Sequence, residues 1–123
     1  MKSIIIRVGE IKLEAELNES TAARLIWDAL PFEAKGQTWG DEIYFRIPVD
    51  ADLEKPRRTV EVGDLGYWPP GNAFCIFYGQ TPASSGDEIV PASPVEVIGR
   101  VTSDVTVLKD IEDPGIVRVE RGM

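Results

Sequence analysis

The chain has no histidine and a single cysteine among its 123 residues. Without histidine there is no Ser-His-Asp or Cys-His pair, no zinc site of the usual His/Cys kind and no imidazole acid–base step. Cys75 lies inside an apolar run, where a thiol with no base nearby reads as a small hydrophobe. Positive charge is also scarce: 13 Lys and Arg stand against 21 Asp and Glu, a net charge of -8. Such a surface cannot displace counterions from phosphates, which argues against nucleic acid and against anionic membranes as partners. No apolar run approaches membrane-spanning length, and Met1 to Ile6 breaks at Arg7, too early for a signal peptide. A cytoplasmic protein is expected. Side-chain amides are few (Asn18, Gln37, Asn72 and Gln80), which together with 9 prolines and dense charge points toward a thermophile. The acidic pairs Asp41-Glu42, Asp50/Asp52 and Asp87-Glu88 lack calcium-loop spacing and read as solvated surface pairs. No metal and no cofactor is expected.

What is present is a single domain's worth of short β-strands, spanning residues 1–123. Ile4 to Val8 is β-branched and runs into Gly9-Glu10, a two-residue hairpin signal. Ile11, Leu13, Ala15 and Leu17 alternate with charged residues, as a strand with one buried face does. Asn18 is a suitable helix N-cap. Ala22, Leu25, Ile26, Ala29 and Leu30 then form one stripe of an amphipathic helix that Pro31 stops. Phe32 to Ala34 reads as a short strand, and Ile43, Phe45 and Ile47 mark another. Asp50 to Arg58 is a polar loop whose Lys55-Pro56-Arg57-Arg58 run is neutralised by acidic neighbours. Thr59 to Val62 and Leu65 to Trp68 read as strand pieces around a Gly63-Asp64 turn or bulge. Val95 to Val101 and Ile116 to Val119 supply later strands. Asp104 caps a short helix with Val105, Leu108 and Ile111 inward. Seven or eight short strands with one or two helices predict a mainly β protein, most economically a closed antiparallel barrel that leaves no exposed edges.

Gly63 to Gly79 is the most informative stretch. Tyr67-Trp68 precedes a stiff Pro69-Pro70-Gly71-Asn72 corner, in which Gly71 is free to take positive φ. The apolar run Phe74 to Tyr78 follows, and reads as a strand buried on both faces. Eight of the ten aromatic residues lie between Trp39 and Tyr78. Two readings remain open: plain packing, or a pocket lined by Trp39, Tyr44, Tyr67 and Trp68 with Asn72 and Phe74 beside them. Its ligand would be a small molecule or a peptide segment.

The order of elements resembles the cyclophilin-type β-barrel. Phe74-Cys75-Ile76 followed by Val95-Glu96-Val97-Ile98-Gly99-Arg100-Val101 is similar to a characteristic cyclophilin strand pair. Thr38 to Phe45 together with Gly66 to Gly71 is similar, more closely, to a prokaryotic family of cyclophilin-like proteins of unknown function. The distant link to peptidyl-prolyl isomerases implies candidate positions. Tyr44-Phe45-Arg46-Ile47-Pro48 resembles the strand that carries the isomerase arginine, making Arg46 the catalytic candidate; an outward, solvated strand residue is the alternative. Ala73, Phe74 and Cys75 stand where the family has a glutamine and two phenylalanines. Related barrels also serve as parts of larger enzymes, so a partner subunit or a homo-oligomer is a further expectation.

Overall fold

The computed structural model describes residues 1–122. It comprises β1 (Lys2–Val8), β2 (Ile11–Leu17), α1 (Thr21–Ala29), β3 (Phe32–Lys35), β4 (Gln37–Thr38), β5 (Glu42–Arg46), β6 (Asp64–Trp68), β7 (Ala73–Phe77), β8 (Glu96–Val101) and β9 (Ile116–Arg121). The nine strands form one antiparallel sheet in the order β3-β9-β1-β2-β8-β6-β7-β5-β4. β3 contacts β5 across the seam, so the sheet curls into a nearly closed barrel. Each strand's alternation decides which side faces in. Ile4, Ile6 and Val8 of β1 and Leu13, Ala15 and Leu17 of β2 are buried, while the intervening residues are mostly exposed. The expected hairpin forms with Gly9 at φ +59.

α1 starts later than its sequence predicts. Ser20 is the N-cap, its Oγ accepting from Ala23 N at 3.2 Å. Asn18 is occupied elsewhere: its Oδ1 accepts from Ser20 N, and its Nδ2 donates to the Val97 carbonyl at 2.8 Å, fastening the helix entry to β8. The buried stripe is correspondingly Ala22, Ala23 and Ile26, and Leu25 is left 41% exposed. The second helix is a 3-10 segment, Val105–Asp110, with Asp104 Oδ1 accepting from Thr106 N as anticipated and Val105 and Leu108 buried. Thr59 to Val62 is not a strand. A single bridge joins Val60 to Ile89, and β6 begins only at Asp64, after Gly63 turns the chain at φ +93. The bulge lies one step further on: Leu65 pairs with Gly99 but Gly66 with Val97.

β7 is buried along its whole length, as its apolar run predicts. Phe74 and Ile76 point into the barrel. Ala73, Cys75 and Phe77 point outward, into a smaller apolar cluster with Val60, Ile89 and Val95. That outer cluster exists because the chain between β7 and β8 folds back over the sheet. Gly66 permits the approach, since a Cβ there would come within 3.3 Å of Val95 and 3.2 Å of Phe77. Against this second, outer cluster the candidate site is built.

Candidate functional site

Glu42 and Tyr44 are two residues apart on β5 and therefore share a face. Antiparallel pairing sets Glu42 opposite Phe77 and Tyr44 opposite Cys75, while Trp68 at the end of β6 lies opposite Ala73. All of these are on the outer side of the barrel. Trp39, in the bend between β4 and β5, flanks them, and Pro91 and Val95 from the returning segment form the opposite wall. The cleft they line has a volume of ≈ 210 Å³.

Two of its rings are fixed by hydrogen bonds at their polar ends. Trp68 Nε1 donates to Ser93 Oγ at 2.6 Å, and Tyr44 Oη donates to Gln37 Oε1 at 3.0 Å. Trp39 is placed through its backbone, its N–H donating to the Glu42 carbonyl at 2.9 Å. Tyr44 and Trp68 thus meet the cavity with an apolar body while their tips are satisfied outside it.

Glu42 is the residue that sequence reasoning missed. Its neighbour Asp41 suggests a solvated acidic pair, but Glu42 is only 6% exposed. Among the described residues no Lys or Arg pairs with it; its side-chain hydrogen-bond partner is the Cys75 thiol, a weak donor. Burial therefore dominates, and raises its pKa from 4.5 to about 7, with the thiol opposing. The same burial, reinforced by the nearby Glu42 charge, pushes the Cys75 thiol well above its ordinary value, so it is no nucleophile. The available signal was parity: Glu42 alternates in step with Tyr44, and a residue sharing a face with a candidate cleft aromatic belongs with it.

The structure brings together Trp39, Tyr44 and Trp68, and separates the other candidates from them. Tyr67 and Phe74 are fully buried in the barrel core. Strand parity is the reason: Tyr67 precedes Trp68 and so faces the opposite side. Tyr67 Oη donates to the Val49 carbonyl at 2.6 Å and accepts from Ala51 N and Asn72 Nδ2, which uses its polar capacity within the fold. Phe74 stacks on Phe45 at 5.2 Å between ring centroids and meets Phe32 edge-on. Asn72 serves the corner rather than the cleft. It takes the left-handed conformation (φ 45), its carbonyl accepts from Ile47 N and its amide binds Tyr67. The positive φ expected at Gly71 therefore belongs to Asn72. Gly71 is required for another reason, because a Cβ there would lie 2.9 Å from the Trp68 ring.

Arg46 is exposed at the far end of β5, in an adjoining groove beside Gly71 and Ala73 that shares Tyr44 and Trp68 with the cleft. A larger polar groove of ≈ 690 Å³ runs between the start of α1 and the loop at Glu54 to Arg57. The buried Glu96 at its edge is already satisfied, its Oε1 accepting from Glu54 N at 2.8 Å and Lys55 N at 2.9 Å. No helix among the described residues is long and apolar enough to cross a membrane.

Comparison with known proteins agrees with this architecture. No curated protein sequence matches the chain. Among solved structures, the solution structure of a hypothetical protein from Archaeoglobus fulgidus is similar, with a TM-score of 0.83 and 42% sequence identity over 98% of this chain and 95% of that one. The family model described as Cyclophilin-like matches residues 2–120. By that match, over nearly its whole length, the chain belongs to the cyclophilin-like family.

Proposed function

We propose that this protein is a binding module whose site is the outer cleft at Trp39, Tyr44 and Trp68. One observation carries the reading: Trp39 and Tyr44 from β5 and the bend before it converge with Trp68 of β6 on one cavity, two of the rings fixed by hydrogen bonds. Rings held in place before binding lose little freedom when a ligand arrives, which favours recognition. Apolar walls with one inward polar group are the usual make-up of a small-ligand site. Its occupant is a small molecule or a short peptide side chain. The isomerase expectation attached to Arg46 gains no support from its groove, since Phe74, its expected pocket partner, faces the barrel interior.

A fragment screen read by ligand-observed NMR, repeated on Trp68→Ala, tests the proposal. Compounds that bind the native protein and not the variant are expected. If no compound binds, or if all bind Trp68→Ala unchanged, the cleft is not the site.

A further inference from the structure

We infer that the cleft takes an organic ammonium group, its positive nitrogen held among Trp39, Tyr44 and Trp68 and neutralised by Glu42. The inference rests on the cleft's being a binding site, and adds the chemistry of what it binds.

A carboxylate removed from water requires a partner, and Glu42 has only a thiol. The groups that face it supply no positive charge. Cys75 comes from β7, Tyr78 follows β7 and Asp41 precedes β5. Lys109 Nζ pairs with the neighbouring Asp41, at 3.8 Å from its Oδ2. A cationic ligand would complete what the protein leaves open. A bare metal ion would not: hard cations need about six to eight oxygen ligands, and the cavity offers one carboxylate among aromatic and apolar walls.

The walls suit an apolar cation instead. Aromatic rings attract positive nitrogen through their negative faces, most strongly where water is excluded. The protein uses this attraction elsewhere. Trp27 on α1 has Lys2 Nζ at 5.0 Å and Arg121 Cζ at 4.6 Å from its ring centroid. Among the described residues no such side chain covers Trp39, Tyr44 or Trp68. Size agrees as well. A cavity of ≈ 210 Å³ equals the liquid volume of roughly seven waters at about 30 Å³ each, room for a methylated ammonium head and not for a drug-sized molecule. The net charge of -8 draws cations toward the surface from a distance.

A free metabolite and a modified lysine side chain carry the same chemistry, and three probes separate the cases. Choline represents the free cation, a peptide bearing trimethyllysine represents the protein-borne one, and 3,3-dimethylbutan-1-ol is the neutral isostere of choline. Each is titrated against the native protein and Glu42→Gln at pH 8.5 and pH 5.5, following tryptophan fluorescence and the indole resonances. At pH 8.5 at least one cation should bind ten-fold or more tightly than the isostere. Glu42→Gln should lose that preference, and the native protein should lose most of it at pH 5.5. The tighter of the two cations identifies the source. If the isostere binds as well as the cations, or Glu42→Gln binds cations undiminished, the ammonium inference is overturned while the binding cleft stands. If none of the probes binds at either pH, the inference falls, and the fragment screen then decides the cleft by itself. The contrast between choline and its isostere needs no variant, so it holds even if Glu42→Gln misfolds.

Discussion

Glu96 opens β8 and Glu42 opens β5, and the two are buried to nearly the same degree, at 3% and 6% exposure. Around Glu96 the chain supplies donors. The backbone N–H groups of Glu54 and Lys55 both reach its Oε1, tying the loop before Thr59 to the barrel. Around Glu42 it supplies rings and a thiol. A buried carboxylate that fastens a loop is structural, and its surroundings are complete. One left with a weak donor beside an open apolar cavity is incomplete within the fold, and under the proposed function a group arriving from outside would complete it. The difference lies in what faces each carboxylate, since burial alone does not distinguish them.

The pH dependence of stability should separate the two carboxylates most strongly. Glu42 titrates at about 7 in the fold against an ordinary 4.5, so the native state binds its proton more tightly than the unfolded chain does. Its contribution to stability is complete below pH 4.5 and is lost as pH rises through about 7. At about 1.36 kcal/mol per pH unit the gap is worth about 3 kcal/mol. Glu42→Gln, neutral throughout, should match the native protein near pH 4.5 and exceed its stability by up to about 3 kcal/mol at pH 8, as read by urea unfolding. A constant difference across that range would show that Glu42 has an unnoticed partner. Glu96→Ala should behave oppositely in sign, costing about 2 kcal/mol at neutral pH by stranding two backbone donors. Amide exchange should show the loss confined to residues 50–58 and β8. An unchanged melting curve would remove the structural role of Glu96.

A smaller effect tests the corner that backs the cleft. Gly71→Ala puts a methyl against the Trp68 ring, and should cost about 1–2 kcal/mol as the indole is forced aside. Its fluorescence should shift to longer wavelength. Unaltered emission would mean that the ring has room the geometry denies.

How much of the fold and the cleft is legible in the amino-acid sequence depends on the kind of signal. Period-two alternation places β2 and β5, a β-branched run places β1, and the unbroken apolar run at Phe74 to Tyr78 marks a strand buried on both sides. Those patterns follow from local geometry. The helix start is ambiguous in sequence because Asn18 and Ser20 are both good caps. The choice between them is made by the Val97 carbonyl, 79 positions from Asn18, which no local pattern reveals. The cleft is half legible for a similar reason. Trp39, Tyr44 and Trp68 stand out by type, but assigning Tyr67 and Phe74 to the core needs the parity of each strand against a known inward face. Glu42 is hidden by its neighbour: an Asp-Glu pair suggests solvent, and only the fold-back of residues 78–95 puts one of the two under cover.

The smallest predicted change bears most directly on whether the cleft is prearranged. Ser93 lies on the segment that folds back over β7, and its hydroxyl accepts the Trp68 indole N–H at 2.6 Å. Ser93→Ala removes one neutral hydrogen bond at a half-buried position, worth about 1 kcal/mol or less in stability. The methyl is tolerated there, so the fold should persist with a slightly lower melting temperature. What should change more is the ring. Freed at its polar end, Trp68 gains motion that a ligand must then suppress, so binding should weaken several-fold while the titration of Glu42 stays where it was. That separation is the point of the experiment, because Glu42 supplies the charge and Ser93 only the position of a wall. Should Ser93→Ala move the Glu42 titration as well, the two walls of the cleft are coupled, and the contrast with the self-contained Glu96 would have to be drawn for the whole cavity instead of one carboxylate.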